Sequence, residues 1–315
     1  MNEKLIYNGI NNYGYKTTKK KVKLYPFIVV IIFTALILFG RNIFFTRTDF
    51  DTLGYDKIKY YIDVTDNVSE GKAQVNWQEV AAINEVLNDG KEDELVSKIA
   101  KVFLKNGENG EYTLFTVDEV LERLKVNNEE EEKVKAFLNE INDNTLYKDL
   151  YKDEAKMTFI NEIYPAALDN YYNYGILPSI TMAQAILESG WGESELALEH
   201  NNIFGIKADS RWDGAIATMT TKENYDDSIE ANFSKYDNIL QSIADHGEFL
   251  NENERYRVNG LFDGKEYKSQ AQALENAGYS TAEDENGEKI YADKLINVIQ
   301  KYNLMIFDSK AKSGL

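Results

Sequence analysis

Residues 175–207 read GILPSITMAQAILESGWGESELALEHNNIFGIK, and their first half predicts a helix with visible start and stop signals. Pro178 and Ser179 open it, because proline has a helical φ already set and no N–H to lose in a first turn. Ser189 and Gly190 close it, glycine being free to enter the left-handed conformation that ends helices. Between these marks Met182, Ala183, Ile186 and Leu187 are spaced to face a core, and Thr181, Gln184 and Glu188 share the opposite side.

Glu188 therefore stands in the last turn, near the negative end of the helix dipole, with Trp191 just beyond to lower its hydration. Both effects disfavour the ionised carboxylate and suit a general acid. Position alone does not assign that role, since an exposed Glu at the end of an ordinary helix is commonplace.

The rest of the composition points to carboxylate chemistry as well. The 315 residues include no cysteine, so a thiol nucleophile, a disulfide framework and a thiolate metal site are all excluded. His200 and His246 are the only imidazoles, too few for a histidine-rich metal site, and neither metal nor cofactor is expected. The net charge of −18 is unevenly spread. Residues 1–47 carry six lysines and two arginines against Glu3, a net of about +7, which leaves about −25 for the remainder and argues against a nucleic-acid partner.

The basic end precedes LYPFIVVIIFTALILFG at residues 24–40, which extends to Phe45 if Arg41 and Asn42 sit at an interface. That is close to the roughly 20 residues needed to cross a bilayer. The following GRNIFFTRTD lacks a small-residue cleavage pattern, so residues 24–45 are expected to be an uncleaved anchor rather than a signal peptide. Lysines ahead of the span place residues 1–23 in the cytoplasm and the bulk of the chain outside. A membrane-protein partner is conceivable, and nothing in the sequence names one.

Residues 46–75 show no sustained period and are expected to be a stalk or a short strand. Residues 76–142 predict a small helical domain, its helices opened by Asn76 with Glu79, Thr116 with Glu119, and Asn128 with Glu131 in the capping-box pattern. From 153 a further helix carries Met157, Ile160, Tyr164, Ala167, Leu168 and Tyr171 as its stripe, should kink or split at Pro165 and ends at Gly175. Asp245 and His246 are neighbours that suggest a catalytic pair, but structural roles are the simpler expectation.

The segments LPSITMAQAILESGWGES and NNIFGIK resemble the bacterial glucosaminidases of glycoside hydrolase family 73, and the resemblance extends more loosely from about Thr158 to Leu304. It implies a mainly α chain with a lysozyme-like α+β catalytic domain over 153–307 that includes a small β-hairpin. It also implies an enzyme that cuts the glycan strands of peptidoglycan at N-acetylglucosaminyl bonds. By position Glu188 matches the essential acid and Glu223, in TTKENY, the second carboxylate on the hairpin. Tyr279, in GYST, matches an aromatic residue lining the cleft, and Trp191, Phe204 and Trp212 are candidates for stacking on sugar rings. The chain departs from the family in GYSTAEDENGEKIYADK, where an insertion precedes Tyr291 and obscures its correspondence. A lytic transglycosylase is the nearest alternative chemistry, and a catalytically idle wall-binding membrane scaffold is the alternative of a different class.

Overall fold

The computed structural model describes residues 53–314 apart from 108–109, 145–152, 210–211 and 224–226. The expected anchor at 24–45 and the basic segment before it lie outside the described residues. No helix among the described residues is long and apolar enough to cross a membrane.

The chain is mainly helical. The first element, α1 (Tyr55–Ser69), falls in the expected stalk; its burial of Tyr61, Ile62, Thr65, Val68 and Ser69 at spacings of three and four shows a period that the charged residues in between conceal. Next come α2 (Trp77–Leu87), α3 (Glu94–Val102), a hairpin of β1 (Leu104–Asn106) and β2 (Tyr112–Leu114), α4 (Val117–Arg123) and α5 (Asn128–Asn144). The helix starts follow the capping logic with one shift. Thr116 and Glu119 form the complete reciprocal box, and Asn76 accepts from the Gln78 amide. At α5 the cap is Asn127 rather than Asn128: its Oδ1 accepts from the Glu130 amide at 3.0 Å and its amide donates to the Glu130 carboxylate at 2.7 Å.

The C-terminal half contains α6 (Glu154–Tyr174), α7 (Pro178–Ser189), α8 (Glu195–His200), and the antiparallel pair β3 (Ile216–Glu223) and β4 (Asp227–Ser234). It closes with α9 (Ile239–Glu252), α10 (Glu254–Val258), α11 (Tyr267–Asn276), α12 (Tyr291–Lys301) and α13 (Met305–Ser313). The hairpin registers Ile216 opposite Ser234 and Glu223 opposite Asp227.

Two expectations about helix faces are corrected. α6 runs unbroken through Pro165, and it buries Phe159, Ile160, Ile163, Ala166, Ala167 and Asn170, a face rotated from the expected stripe. Packing on both α7 and α9 fixes that face and holds the helix together where proline removes a hydrogen bond. α7 is buried nearly all round, Thr181 and Gln184 included, while Leu187 is exposed beside Glu188. It is the central helix of this half, contacted by α6, α9, α11, α12 and α13, which leaves only its last turn open to solvent.

Polar bonds between buried groups tie the first half to the second. Trp77, fully buried, donates its indole N–H to Asn303 Oδ1 at 2.8 Å, and Ser309 donates to the Gln74 carbonyl at 2.9 Å. Asp66 on α1 accepts from Tyr267 at 2.6 Å and from Gln74 at 3.1 Å, and pairs with Lys268 at 2.8 Å. Asp308 on α13 accepts both the Ser179 amide, at 2.8 Å, and the Ser179 hydroxyl, at 2.6 Å. It thereby caps α7 from a distant part of the chain, meeting the need of N-terminal amides for an acceptor.

Candidate active site

α7 delivers Glu188 to a cleft of about 700 Å³. The turn that follows is tight: Gly190 adopts φ 58° and Trp191 φ 67°, and the Trp191 amide bonds back to the Ile186 carbonyl at 3.2 Å. The helix thus ends at Glu188 and its neighbour, and the carboxylate opens into the cleft instead of continuing along a buried face. The residue is exposed to the cleft, yet enough protein surrounds its carboxylate that desolvation holds the pKa above the ordinary value. A hydrogen bond from Tyr291 and the charge of Lys294 act in the opposite direction and are the smaller effects.

Tyr291 donates to Glu188 Oε1 at 2.9 Å and accepts from the Gln184 amide at 3.1 Å. One turn of α7 and the first residue of α12 therefore form a chain, Gln184 to Tyr291 to Glu188, that fixes the carboxylate's orientation. Tyr279 stacks on Tyr291 with ring centroids 5.2 Å apart and 19° between planes. Its hydroxyl lies 3.1 Å from His246 Nε2, and the His246 ring stacks on Phe204 at 3.8 Å and 10°. Burial keeps His246 neutral, its pKa pushed down to about 3.

Local sequence explains why these rings meet. In NNIFGIK, Asn202 is buried and its side chain donates to the carbonyls of Ile206 and Ser234 and accepts from the Ile206 amide. That ties the turn carrying Phe204 to the end of β4. Ser242 on α9 accepts from the Ile203 amide at 3.1 Å, which brings His246, one turn further along, beneath Phe204. Gly247 lets α9 approach α6, since a Cβ there would stand 2.3 Å from Asn170 Oδ1.

The insertion before Tyr291 closes on itself. The Ile290 amide returns to the Ala282 carbonyl at 3.2 Å, Glu283 bridges Lys289, and Asp284 Oδ1 accepts from the amides of Asn286 and Glu288 at 2.8 Å each. The extra residues leave and rejoin at nearly the same place, so Tyr279 and Tyr291 remain side by side.

Of the residues expected at the site, Glu188, Phe204, Trp212 and Tyr279 line this one cleft. Trp212 packs its edge against Tyr236 at 5.1 Å and donates its indole N–H to the Ala215 carbonyl at 2.8 Å. Trp191 is a correction. It is absent from the lining of the cleft and instead packs between Tyr302 (4.7 Å) and Phe159 (6.2 Å) beside a different groove. Glu223 is the last residue of β3, paired with Asp227 at the end of the hairpin where the two strands connect. Tyr291, Gln184 and His246 were not expected at the site. The spacing of Gln184 and Glu188, one turn apart on α7, was the visible signal for the first of the two bonds; the inserted loop hid Tyr291.

The cleft's remaining charged lining is mostly acidic: Asp209, Asp213, Asp245, Glu248 and Glu252 face Lys207 and Arg255. Among the described residues no group of three or more His, Asp or Glu could hold a metal ion. What the arrangement offers is one carboxyl group, its pKa raised by burial and its orientation fixed by a tyrosine, in an aromatic-walled open groove.

Residues 164–304 match a family model described as mannosyl-glycoprotein endo-beta-N-acetylglucosaminidase. The chain is 35% identical over 167 residues to the exo-glucosaminidase LytG of Bacillus subtilis, covering 51% of this chain and 56% of that protein. It is 34% identical over 160 residues to the peptidoglycan hydrolase FlgJ of Vibrio parahaemolyticus, covering 49% and 50%. It spans about half the length of these curated relatives. Among solved structures, the catalytic domain of the autolysin Auto from Listeria monocytogenes is 34% identical with a TM-score of 0.43, covering 49% of this chain and 88% of that one. The glycoside hydrolase domain of Salmonella typhimurium FlgJ is 30% identical with a TM-score of 0.38, covering 50% and 96%.

Proposed function

Because this chain belongs, through residues 164–304, to the glucosaminidase family, we propose that it hydrolyses the glycan strands of bacterial peptidoglycan at N-acetylglucosaminyl bonds. The observation that carries the reading is Glu188: a desolvated carboxyl lining an aromatic cleft and held by Tyr291. In this reaction Glu188 protonates the leaving glycosidic oxygen as the C1–O bond breaks. Water adds its hydroxide to C1, and its proton returns to a carboxylate. Glu223, on the hairpin, is assigned to activate that water or to stabilise the developing cation. Phe204, Trp212 and Tyr279 supply ring faces and edges for the sugars.

The apolar segment at 24–45 and the lysines before it support a single-pass anchor with the catalytic part outside the cell membrane. An acidic outer part is repelled by anionic wall polymers, so the anchor rather than a wall-binding module would keep the enzyme near newly made glycan. The small helical segment at 76–142 and the lysozyme-like part at 153–307 are the proposed division of the outer part.

The experiment is a peptidoglycan zymogram of wild type and Glu188→Gln, followed by mass spectrometry of reduced fragments. Wild type should clear the gel and leave N-acetylglucosamine at the new reducing ends, and the variant should fold normally and clear nothing. Clearing by the variant would remove Glu188 from its role, and predominant anhydromuramic ends would make the enzyme a lytic transglycosylase. A tag after Leu315 that resists protease in wall-stripped cells would overturn the topology.

A further inference from the structure

The helix α9 residue His246 is buried, with one ring nitrogen engaged and the other stranded. Its Nε2 lies 3.1 Å from the Tyr279 hydroxyl, whereas Nδ1 is buried with no hydrogen-bond partner. A neutral imidazole has one N–H to place. On Nδ1 that proton would be an orphaned buried donor, a rarer and costlier state than an unfilled lone pair. Tyr279 would then spend its only proton on Nε2 and present bare lone pairs toward Glu188, whose charge it feels. On Nε2 the proton is used, donated to the Tyr279 oxygen, and the tyrosine keeps its own O–H for the cleft it lines. The ring cannot turn over to exchange its nitrogens freely, because Phe204 stacks on it almost parallel at 3.8 Å.

We infer that His246 is a positioning residue: locked as the Nε2–H tautomer, it forces Tyr279 to act as a hydrogen-bond donor to an acceptor oxygen of the bound aminosugar. The inference rests on the glycan-hydrolase reading for its substrate, but the tautomer itself does not. The hydroxyl orientation is thereby set before substrate arrives, so donation costs no reorganisation. Tyr279 is in turn stacked on Tyr291, which holds Glu188, so the acid and this donor share one rigid aromatic wall.

The test has two arms. Long-range proton–nitrogen NMR of the ¹⁵N-labelled full-length chain reads the tautomer directly, and with only His200 and His246 in the sequence the loss of one signal in His246→Gln assigns it. The expected result is a protonated Nε2 and a bare Nδ1, unchanged from pH 5 to pH 8; a protonated Nδ1, or an imidazole that titrates in that range, overturns the inference. In the kinetic arm, His246→Gln places an amide N–H where Nε2–H was and should retain activity, whereas His246→Leu should lose about tenfold or more in kcat/KM. With Tyr279→Phe already present, His246→Leu should cost nothing further, since the two residues act as one unit. Equal, additive losses for all His246 variants would reduce it to a packing residue. Should Glu188→Gln prove fully active while the tautomer is as expected, the hydrolase reading fails and the tautomer assignment stands.

Discussion

At the scale of single residues, the acid is tuned by opposing effects of unequal size. Desolvation raises the Glu188 pKa, and the Tyr291 hydrogen bond, which favours the carboxylate, lowers it by less. Removing that bond should therefore raise the pKa further. Tyr291→Phe is expected to shift the alkaline limb of the kcat/KM profile to higher pH, because that limb reports loss of the free enzyme's acid. A drop in kcat should accompany it, as the carboxyl loses the partner that orients it. A limb that moves to lower pH would mean that the bond holds the protonated form instead. Glu188→Gln belongs to the same scale: it keeps size and removes the proton, so activity should vanish with little change in Tm.

At the scale of elements, the site depends on how closely helices approach. The helix that carries His246 lies against α6, with no room for a Cβ at Gly247 beside Asn170, whose side-chain amide also bonds the Ile243 carbonyl at 2.9 Å. Gly247→Ala should force the two helices apart at a cost of about 1–3 kcal/mol, despite alanine's better helix propensity. Thermal unfolding would register that loss. A Tm at or above wild type would show that Asn170 swings aside and that the approach is looser than it looks.

At the scale of the whole molecule, buried acids make stability depend on pH. Asp308 and Glu79 have pKa values pushed up to about 7, in each case chiefly by burial, and Glu188 is raised in the same direction. Their folded-state pKa values exceed those of the unfolded chain, so the folded protein holds more protons and loses stability as pH rises through about 7. His246 acts with the opposite sign, since it stays neutral when folded and its penalty appears only below the unfolded histidine value of about 6.5. Tm should therefore be higher at pH 6 than at pH 8, and Asp308→Asn should flatten the difference; an unchanged slope in that variant would place the dependence elsewhere. A second test concerns α1. Deleting residues through Lys72 removes Asp66 from Tyr267 and Lys268, leaving the buried Tyr267 hydroxyl without its carboxylate acceptor, and takes away the buried face of α1. The truncated chain should melt well below the intact one or fail to accumulate as soluble protein, although every residue of the cleft remains.

How much of this was legible in the sequence follows from whether each feature is local. The helix carrying Glu188 was legible because its start and stop depend on Pro178 and Gly190, residues whose backbone constraints act within one turn. Glu188, Phe204, Trp212 and Tyr279 were placed together by the resemblance of their segments, and the cleft lining unites them. Trp191 was misplaced because sequence adjacency to Glu188 says nothing about direction once the backbone takes a left-handed turn. The buried face of α6 and the enclosure of α7 depend on neighbours from distant segments, which no single helix's periodicity records. The same holds for the contacts that make the acid work. Tyr291 lies 103 residues from Glu188, beyond an insertion whose self-closure only the folded chain displays, and Tyr279 lies 33 residues from His246. Short-range constraints wrote the helices into the sequence; the proton-bearing network arises from tertiary packing, because hydrogen bonds and desolvation depend on distance in space rather than along the chain.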